Sequence, residues 1–577
     1  MAKRCTVFWI ILFAYLQIVY KYHFFYMEQA YLFLFDGDYI QEHLMSVGGF
    51  SYLVAAFLNQ FFIYPFAGAA ITATLLVTVA IFTRNILKRI SPQAELPVFY
   101  LLPATFLMFI QFHFNYYLQG SVAFLICLLF LYIYLLLSSL SRKMIYLLPA
   151  VPVLFWLGGS VGLLLVSVVL VKELITHPRQ SFWFLIPCAE ALLLAMLSVR
   201  AGWVGEFRFA ILPDMYFNYL IKPDSGIIYL SWASLLLAVM VASFLHNRKG
   251  LTGKKLATSI VVQLLLILFV AGYRHINHLK DDTLKYKQLE YYNRTAQWDE
   301  IVKISNGPIK NYLYACYLNR ALAEKGELGN RIFEFDQPGI EGLMIKWTYT
   351  YPTSRLLSDI FFTFGSIAAA QEKGFEANLN SPDGNSAYTL QRLVQTGIIL
   401  GEYAVAQKYM DILSSTLYYR EWADSHRRFL FNDEAVAADS FLGNKRRFLT
   451  TNTFYQGTGL LEELAANART NPQDKTAIEY LGAAYLLAKS IEPFGQMLAS
   501  FYDTGVLPVL PRSFQEAAVI VYEKERESWP RLGISAQTIE RFGQFEQFIR
   551  KNKGRPNLDQ GAKQYFGDTY WYYFIFK

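Results

Sequence analysis

The pattern of hydrophobic and polar positions changes near residue 275. Residues 1–275 hold long apolar runs separated by short loops, whereas residues 276–577 hold apolar residues at helical spacing among charged ones. A helix needs about 20 consecutive apolar residues to cross a bilayer, because the hydrocarbon core is about 30 Å thick. The pattern therefore predicts an all-α protein, with a polytopic transmembrane domain over 1–275 and a water-soluble helical domain over 276–577.

Seven runs in the first part are long enough to cross a bilayer. They cover residues 7–26, 61–83, 96–112, 118–138, 181–199, 227–245 and 255–273. A further stretch, 143–173, is too long for one span and too short for two, and it is interrupted by Pro149, Pro152, Gly158 and Gly159. We expect this stretch to enter the membrane and return as a hairpin of two half-helices. Broken helices at this depth need protein or a water-filled cavity to satisfy their backbone groups, so a cavity is implied.

The basic residues of the short loops predict the orientation, since cytoplasmic loops carry an excess of Lys and Arg. With the hairpin, every basic loop falls on the side of the N-terminus: Lys3, Arg4, Arg84, Lys88, Arg89, Arg142, Lys143, Lys172, Arg179, Arg248, Lys249, Lys254 and Lys255. A single crossing by 143–173 would turn the last two clusters outward. The prediction is a cytoplasmic N-terminus and a soluble domain outside the cytoplasm. The apolar run 44–60 is then an interfacial or re-entrant helix on the outer face, because another span would invert the later loops.

Composition and the absence of certain motifs argue against several classes of function. The chain is 54% hydrophobic with a net charge of +7, but most of its basic clusters lie in short loops between apolar runs, so we predict no nucleic-acid partner. Of the four cysteines, Cys316 is alone in the soluble part, which excludes an internal disulfide there. The apolar run after MAKRC is long and lacks an A-x-A site, which favours a retained signal anchor over a cleaved signal peptide. No phosphate-binding loop, dinucleotide fingerprint or Cys/His metal spacing is present in the sequence, and no cofactor is predicted with certainty.

Helical units with small residues at their turns recur in the soluble part. The clearest covers 385–418, where Gly401 marks the turn and Tyr403, Ala406 and Tyr409 follow at packing positions. Sister units are indicated around Gly365 and, in degenerate form, over 285–325 and 471–503. This pattern resembles a tetratricopeptide (TPR)-like α-solenoid. Such arrays present a concave groove to a protein or peptide, and the alternative is a packed helical cap without a separate ligand. The aromatic tail 566–577 either packs into the array or returns to the membrane surface, since so apolar an end is unfavourable in water.

An acidic loop follows the first apolar run. It contains Asp36, Asp38 and Glu42, beside the run 44–60 and at the mouth of the implied cavity. One interpretation is a site for acid–base chemistry or metal binding. The other is helix capping, because Asp38-x-x-Gln41 fits a capping box for a short helix and Asp36 is placed to cap it as well.

The layout of the membrane part resembles GT-C-type glycosyltransferases, which use polyprenyl-phosphate sugars and carry an acidic residue in the first outer loop. The resemblance implies that Asp36 or Asp38 acts as the base on the acceptor, with Glu42 as helper, or that the carboxylates coordinate a divalent cation. Cations are needed near the lipid phosphate that leaves. The candidates for that role are Arg200, Arg208, Lys222 and Arg274.

Glu190 is a second polar candidate, within the run 181–199. Ionisable groups inside a membrane usually face a cavity or a partner. One interpretation places Glu190 in a lipid-donor tunnel or proton path, and the other has it protonated and bonded to a neighbouring helix. Glu190 and the broken stretch 143–173 together also suggest a third hypothesis, that the protein is a transporter. We rank it last because the sequence lacks the internal repeat that is typical of transporter folds.

Over its whole length the chain resembles an uncharacterised family of polytopic Bacteroidota inner-membrane proteins with a TPR-like C-terminal half. The segments that carry this resemblance are CYLNRALAEKGELGNRIF (316–333) and DTYWYYF (568–574). It implies a bacterial inner membrane with a periplasmic C-terminal domain, and no particular activity. Two functions remain open, a GT-C-like transferase in envelope glycan or glycoprotein assembly and a non-enzymatic membrane-anchored scaffold that binds envelope-assembly partners.

Overall fold

A computed structural model describes residues 2–92, 96, 98–113, 115–218, 226–246, 253–279, 283–309, 311–381, 384–449 and 459–577. The described residues form helices and two isolated bridges, and no strand of a sheet occurs among them. The chain divides into two compact units. The first is Met1–Lys287 with Ser415–Tyr418, and the second is Gln288–Ser414 with Tyr419–Lys577.

The first unit is built from thirteen α-helices in the part of the chain that the structure describes. They are α1 (Ala2–Val19), α2 (Lys21–Glu28), α3 (Gly37–Leu44), α4 (Gly49–Asn59), α5 (Ala67–Ile90), α6 (Leu102–Gln111), α7 (Leu118–Leu136), α8 (Leu140–Gly158), α9 (Val161–Thr176), α10 (Leu185–Arg200), α11 (Phe207–Ile211), α12 (Ile227–Phe244) and α13 (Gly253–Leu279). Short 3₁₀ helices cover Gln60–Ile63, Phe99–Leu101, Ser181–Phe184 and Pro213–Tyr216.

Several of these helices are long and apolar enough to cross a membrane, which supports the prediction of a membrane protein. Among the described residues five qualify by length and composition: Ala67–Ile90, Leu118–Leu136, Leu140–Gly158, Ser181–Arg200 and Gly253–Tyr273. The count rises to six if α1 and α2, which meet at 76° within the predicted span 7–26, together form one span. The runs 96–112 and 227–245 form shorter apolar helices. The first long helix starts at Ala67 rather than at residue 61, because the preceding Pro65 disfavours helical backbone before it.

The stretch 143–173 forms two helices, as the interrupting residues predict. The break falls at Gly159, whose φ of +80° is a conformation that favours glycine. A side chain there would also collide with Met215, since an added Cβ would lie 2.2 Å from its sulfur. The helix before the break differs from the expected half-helix, because α8 has 19 residues and is itself of spanning length.

The basic residues of the long helices meet at one end of the first unit. Thr72 and Leu118 line the same small cavity, and Phe82 packs on Tyr132, so α5 and α7 run parallel. Near the start of α8 and the end of α9, Lys143 bonds to Glu173. This end, called the basic end below, carries Arg84, Lys88, Arg89, Arg142, Lys143, Lys172 and Arg179.

The boundary between the two units falls within the helix Thr283–Arg294, and the second unit is helical from there on. Its helices are α14 (Thr283–Arg294), α15 (Trp298–Ile304), α16 (Tyr312–Glu324), α17 (Leu328–Arg331), α18 (Tyr351–Thr363), α19 (Ile367–Leu379), α20 (Ala387–Leu400), α21 (Tyr403–Ser414), α22 (Arg420–His426), α23 (Asp433–Ala438), α24 (Leu442–Arg447), α25 (Leu460–Thr470), α26 (Lys475–Leu487), α27 (Ile491–Phe501), α28 (Arg512–Val521), α29 (Ala536–Asn552), α30 (Leu558–Phe566) and α31 (Tyr570–Phe576).

Helix pairs occur where the turn glycines predict them. Gly401 has a φ of +80° and separates α20 from α21, and Gly365 has a φ of +88° and separates α18 from α19. Tyr403, Ala406 and Tyr409 are buried on α21. Consecutive helices from α18 to α21 pack on one another, so each turn returns the chain along its predecessor.

The aromatic tail packs into the second unit, which decides between the two alternatives left by the sequence. Tyr570 and Trp571 on α31 are 0% and 1% exposed. The Trp571 indole donates to the carbonyl of Glu516 at 2.6 Å, and Tyr573 donates to the carbonyl of Leu487 at 2.8 Å. The tail is therefore a structural part of this unit.

Candidate functional site

The acidic loop of the first unit forms the short helix α3. Asp36 is its N-cap, and the carboxylate accepts the backbone N–H of Tyr39 at 3.2 Å. The helix begins at Gly37, so Asp38 lies in its first turn and is not the capping residue. Asp38 and Glu42 are exposed, and neither has a hydrogen bond or ion pair among the described residues. Their chemical roles stay predictions, while Asp36 has a structural partner.

Trp156 connects α3 to the segment after α10. Its indole donates to the carbonyl of Leu44 at 3.0 Å, and its ring packs edge-on against Trp203 at 5.8 Å. Its own carbonyl accepts the N–H of Gly48 at 2.8 Å. The acidic loop and the 200–216 segment therefore lie at the same end of the helix bundle.

Of the four cations proposed to bind a lipid phosphate, the structure places two at this end. Arg200 ends α10 and is exposed. Arg208 is half-buried on α11, and its Nε lies 2.8 Å from Glu206. Lys222 and the side chain of Arg274 lie outside the described residues.

A buried tyrosine organises the centre of this end. Tyr216 is 1% exposed, donates to the carbonyl of Gly158 at 2.5 Å and accepts the N–H of Val161 at 3.3 Å. It thereby satisfies backbone groups at the break between α8 and α9, as a broken membrane helix requires. The local sequence pattern gives no signal for this contact, because Tyr216 and Gly158 are 58 residues apart along the chain.

Two carboxylates of the first unit have a buried oxygen that accepts no hydrogen bond within the described structure. One is Asp214, which takes the hydroxyl of Tyr229 on Oδ1 at 3.1 Å and leaves Oδ2 unbonded. The other is Glu190, partly buried on α10, whose Oε2 is unbonded. Neither proposed role of Glu190 is tested by this placement. Within the described ranges, no group of three or more His, Cys, Asp or Glu could hold a metal ion.

The second unit contains a groove that the sequence did not predict in residue detail. It has a volume of about 520 Å³. Its lining includes Tyr572 and Tyr573 of the closing aromatic segment and Phe333 and Phe335, and Phe333 packs on Tyr573 with ring centroids 5.1 Å apart. The lining also includes charged and amide residues: Asn306, Glu334, Asp336, Gln337, Lys563, Gln564, Asp568 and Lys577.

A buried ion network lies in the core of the second unit. Asp359 is 1% exposed and accepts Arg392 at 2.9 Å, Tyr388 at 2.8 Å and Asn293 at 2.8 Å. Burial alone would raise the pKa of this carboxyl, but the charges of Arg320 and Arg392 outweigh burial and lower it. The network extends through Arg355, which donates to buried Glu290 at 2.5 Å. Asp359, Arg355 and Glu290 are all at most 2% exposed, so their arrangement is that of a structural core.

The fold and the contacts above define an all-helical protein with several helices capable of crossing a membrane and a separate, compact helical unit. It belongs to the family of unknown function DUF6057, whose family model matches residues 2–577. No curated protein and no solved structure matches the chain.

Proposed function

We propose that this chain is a membrane-anchored binding protein whose helical array takes a segment of a partner protein. The observation that carries the proposal is the groove of about 520 Å³ in the second unit. Its size falls within the range of about 300–1,000 Å³ that is usual for ligand sites. The combination of spanning helices and a grooved helical unit is that of an anchored receptor for a partner.

The chemistry of the groove fits a peptide. Aromatic residues in the lining provide apolar contact, and Tyr and Phe are favoured at protein–protein interfaces. Asn306 and Gln564 are exposed lining residues whose amides can pair with a peptide backbone. Asp336 is already paired with Lys577 at 2.8 Å, whereas Lys563 is exposed and has no ion pair in the described part of the chain.

The proposal also includes the type of helical array and the orientation of the protein in the membrane. Paired helices that turn at Gly365 and Gly401 support a TPR-like solenoid, and such arrays bind peptides on a concave surface. The basic end of the first unit supports a bacterial inner-membrane protein with that end in the cytoplasm and the second unit in the periplasm. The partner would then be a periplasmic protein or peptide of envelope assembly.

Site-specific photocrosslinking in intact membranes tests the proposal. The full-length protein carries a photoreactive residue in place of Gln564 at the groove, or in place of Gln544, an exposed glutamine on α29 that does not line it. We expect a discrete crosslinked protein from position 564 and none from position 544. The Lys563→Glu substitution should weaken that crosslink. Equal labelling at the two positions would remove the groove from consideration.

A second function is favoured by the exposed carboxylates of α3. If the first unit is a GT-C-like transferase using a polyprenyl-phosphate sugar, Asp38 is a better base than Asp36, since Asp36 is occupied by the cap and Asp38 is exposed. Arg200 and Arg208 lie at the same end to meet a lipid phosphate. Transfer from a polyprenyl-phosphate sugar should then be lost in Asp38→Asn and kept in Asp36→Ser, which preserves the cap. Full transfer by Asp38→Asn would exclude this residue as the base.

A further inference from the structure

Four side chains from three helices converge on one buried carboxylate at the basic end of the first unit. Glu173 Oε1 accepts the hydroxyl of Tyr134 at 2.6 Å and the ammonium groups of Lys143 and Lys172, each at 2.7 Å. His177 contacts Oε2 at 2.8 Å. The Glu173 side chain is 2% exposed, so the cluster is buried in the protein and is not a solvent-exposed ion pair.

The cluster carries more positive than negative charge. Two ammonium groups share a single carboxylate oxygen, which leaves one positive charge uncompensated within the cluster even when His177 is neutral. Like charges held this close repel each other, and a further anion nearby would offset this repulsion. Glu173 is the sole acid between residues 137 and 184, so this stretch provides no second counter-ion.

Two further cations, Arg142 and Arg179, lie within two residues of cluster members along the chain. Arg142 is held at the start of α8 by hydrogen bonds to Ser138 at 2.6 Å and to Ser139 at 3.0 Å. Arg179 is exposed, two residues after His177. The two lysines are each about nine-tenths buried and the two arginines are exposed; these four cations are called the basic pocket below.

An apolar surface adjoins the pocket. Phe184, just before α10, packs on Tyr134 of the cluster with ring centroids 6.3 Å apart, so the start of the α10 segment lies beside the cluster. Trp183 is exposed at the start of the α10 segment, and Leu185 and Ile186 follow it on α10, which packs against α8. Trp is characteristic of the membrane–water interface, and exposed aliphatic groups beyond it are suited to acyl chains.

We propose that this pocket binds the phosphate of an anionic membrane phospholipid. Lys143 and Lys172 contact the phosphate, the exposed Arg142 and Arg179 also hold it, and Glu173 positions the two lysines. The acyl chains lie along the apolar surface of α10. Basic pockets between membrane helices are recurrent sites for anionic lipid headgroups, and the adjoining apolar surface favours a lipid over a soluble anion.

The test measures lipid binding to the full-length protein purified in detergent. Phosphatidylglycerol is titrated against phosphatidylcholine, with inorganic phosphate as a third arm, and retained lipid is counted by native mass spectrometry. We expect selective retention of phosphatidylglycerol. Lys143→Gln should weaken it about fivefold, the effect of removing one interfacial cation. Lys143→Arg should keep it within about twofold, because the charge is retained.

A matched control is Lys254→Gln, which removes an exposed lysine at the start of α13 outside this pocket and should leave retention unchanged. If Lys143→Gln fails to fold, Arg142→Gln and Arg179→Gln replace it, with the same expected loss. Equal retention of the two lipids, or an unchanged preference in these variants, would overturn the proposal. Displacement of phosphatidylglycerol by millimolar inorganic phosphate would overturn the assignment to a lipid and leave a soluble-anion site.

Discussion

The backbone N–H of Tyr570 donates a 2.7 Å hydrogen bond to the buried carboxylate of Glu516. The same carboxylate lies 2.9 Å from the Nε of Arg512, and the carbonyl of Glu516 accepts the indole of Trp571. One glutamate on α28 therefore anchors the start of α31. The closing helix is held by this polar contact as well as by its aromatic packing.

The docking of α31 should depend on pH. Burial raises the pKa of Glu516 to about 7, against an ordinary value of 4.5. A carboxyl whose pKa is higher in the folded state stabilises the fold when protonated, so this stabilisation is full below pH 4.5 and is lost as the pH rises through about 7. The difference corresponds to about 3 kcal/mol. Hydrogen exchange of the 568–577 amides, corrected for intrinsic rates, should be slower at pH 5.5 than at pH 8.

The variant Glu516→Gln provides the control for this dependence. It keeps the side-chain shape and an acceptor for the Tyr570 N–H but cannot titrate, so the pH dependence between 5.5 and 8 should largely disappear. If the variant retains the full dependence, another group controls the docking of α31.

The buried ion network of the second unit should be sensitive to removal of its acid. Asp359→Ala leaves Arg320 and Arg392 buried without their carboxylate, and breaking a buried pair in this way costs about 3–5 kcal/mol. Chemical denaturation followed by fluorescence measures the loss. Asp299→Ala is the matched control, because its pair with Lys325 is solvent-exposed and should contribute at most about 1 kcal/mol. A loss for Asp359→Ala no larger than that of the control would show that the network is dispensable.

The helical class, the spanning helices and the paired helices of the second unit followed from local pattern. Apolar runs and turn glycines are short-range signals, and Gly365 and Gly401 fall at the turns they predict. The bend at Tyr20 was not predictable in the same way, because the apolar run 7–26 continues across it without a proline or glycine. Packing against other helices decides such a bend.

The polar contacts between residues far apart in the chain could not be predicted from the sequence either. Arg392 and Asp359 are 33 residues apart, and charged side chains are usually solvated, so nothing in the local pattern pairs them. A signal existed in the runs around them, since Asp359 lies at a helical core position among apolar residues. Trp156 is a similar case, because its partner Leu44 is 112 residues away.

The turn glycine of the clearest helix pair should resist substitution. Gly401→Ala places a Cβ on a residue with a φ of +80°, a backbone conformation that costs an L-residue about 1–2 kcal/mol. The free energy of unfolding should fall by that amount. Gly543→Ala is the opposite control, because this glycine lies inside α29 with open space around it and alanine is the better helix former. Gly543→Ala should raise the stability by up to about 1 kcal/mol. Destabilisation of equal size by the two changes would contradict the assigned turn.

Variants at the N-cap of α3 can distinguish the structural role of Asp36 from a chemical role. Asp36→Ala removes the acceptor for the Tyr39 N–H and should destabilise α3 by about 1 kcal/mol, seen as faster hydrogen exchange over residues 37–44. Asp36→Ser should retain slow exchange, because serine caps nearly as well. Asp38→Asn should also leave exchange nearly unchanged, since the exposed Asp38 side chain makes no hydrogen bond within the described residues. If Asp38→Asn accelerates exchange as much as Asp36→Ala, Asp38 also has a structural role, and an effect of that variant on activity would no longer identify a base.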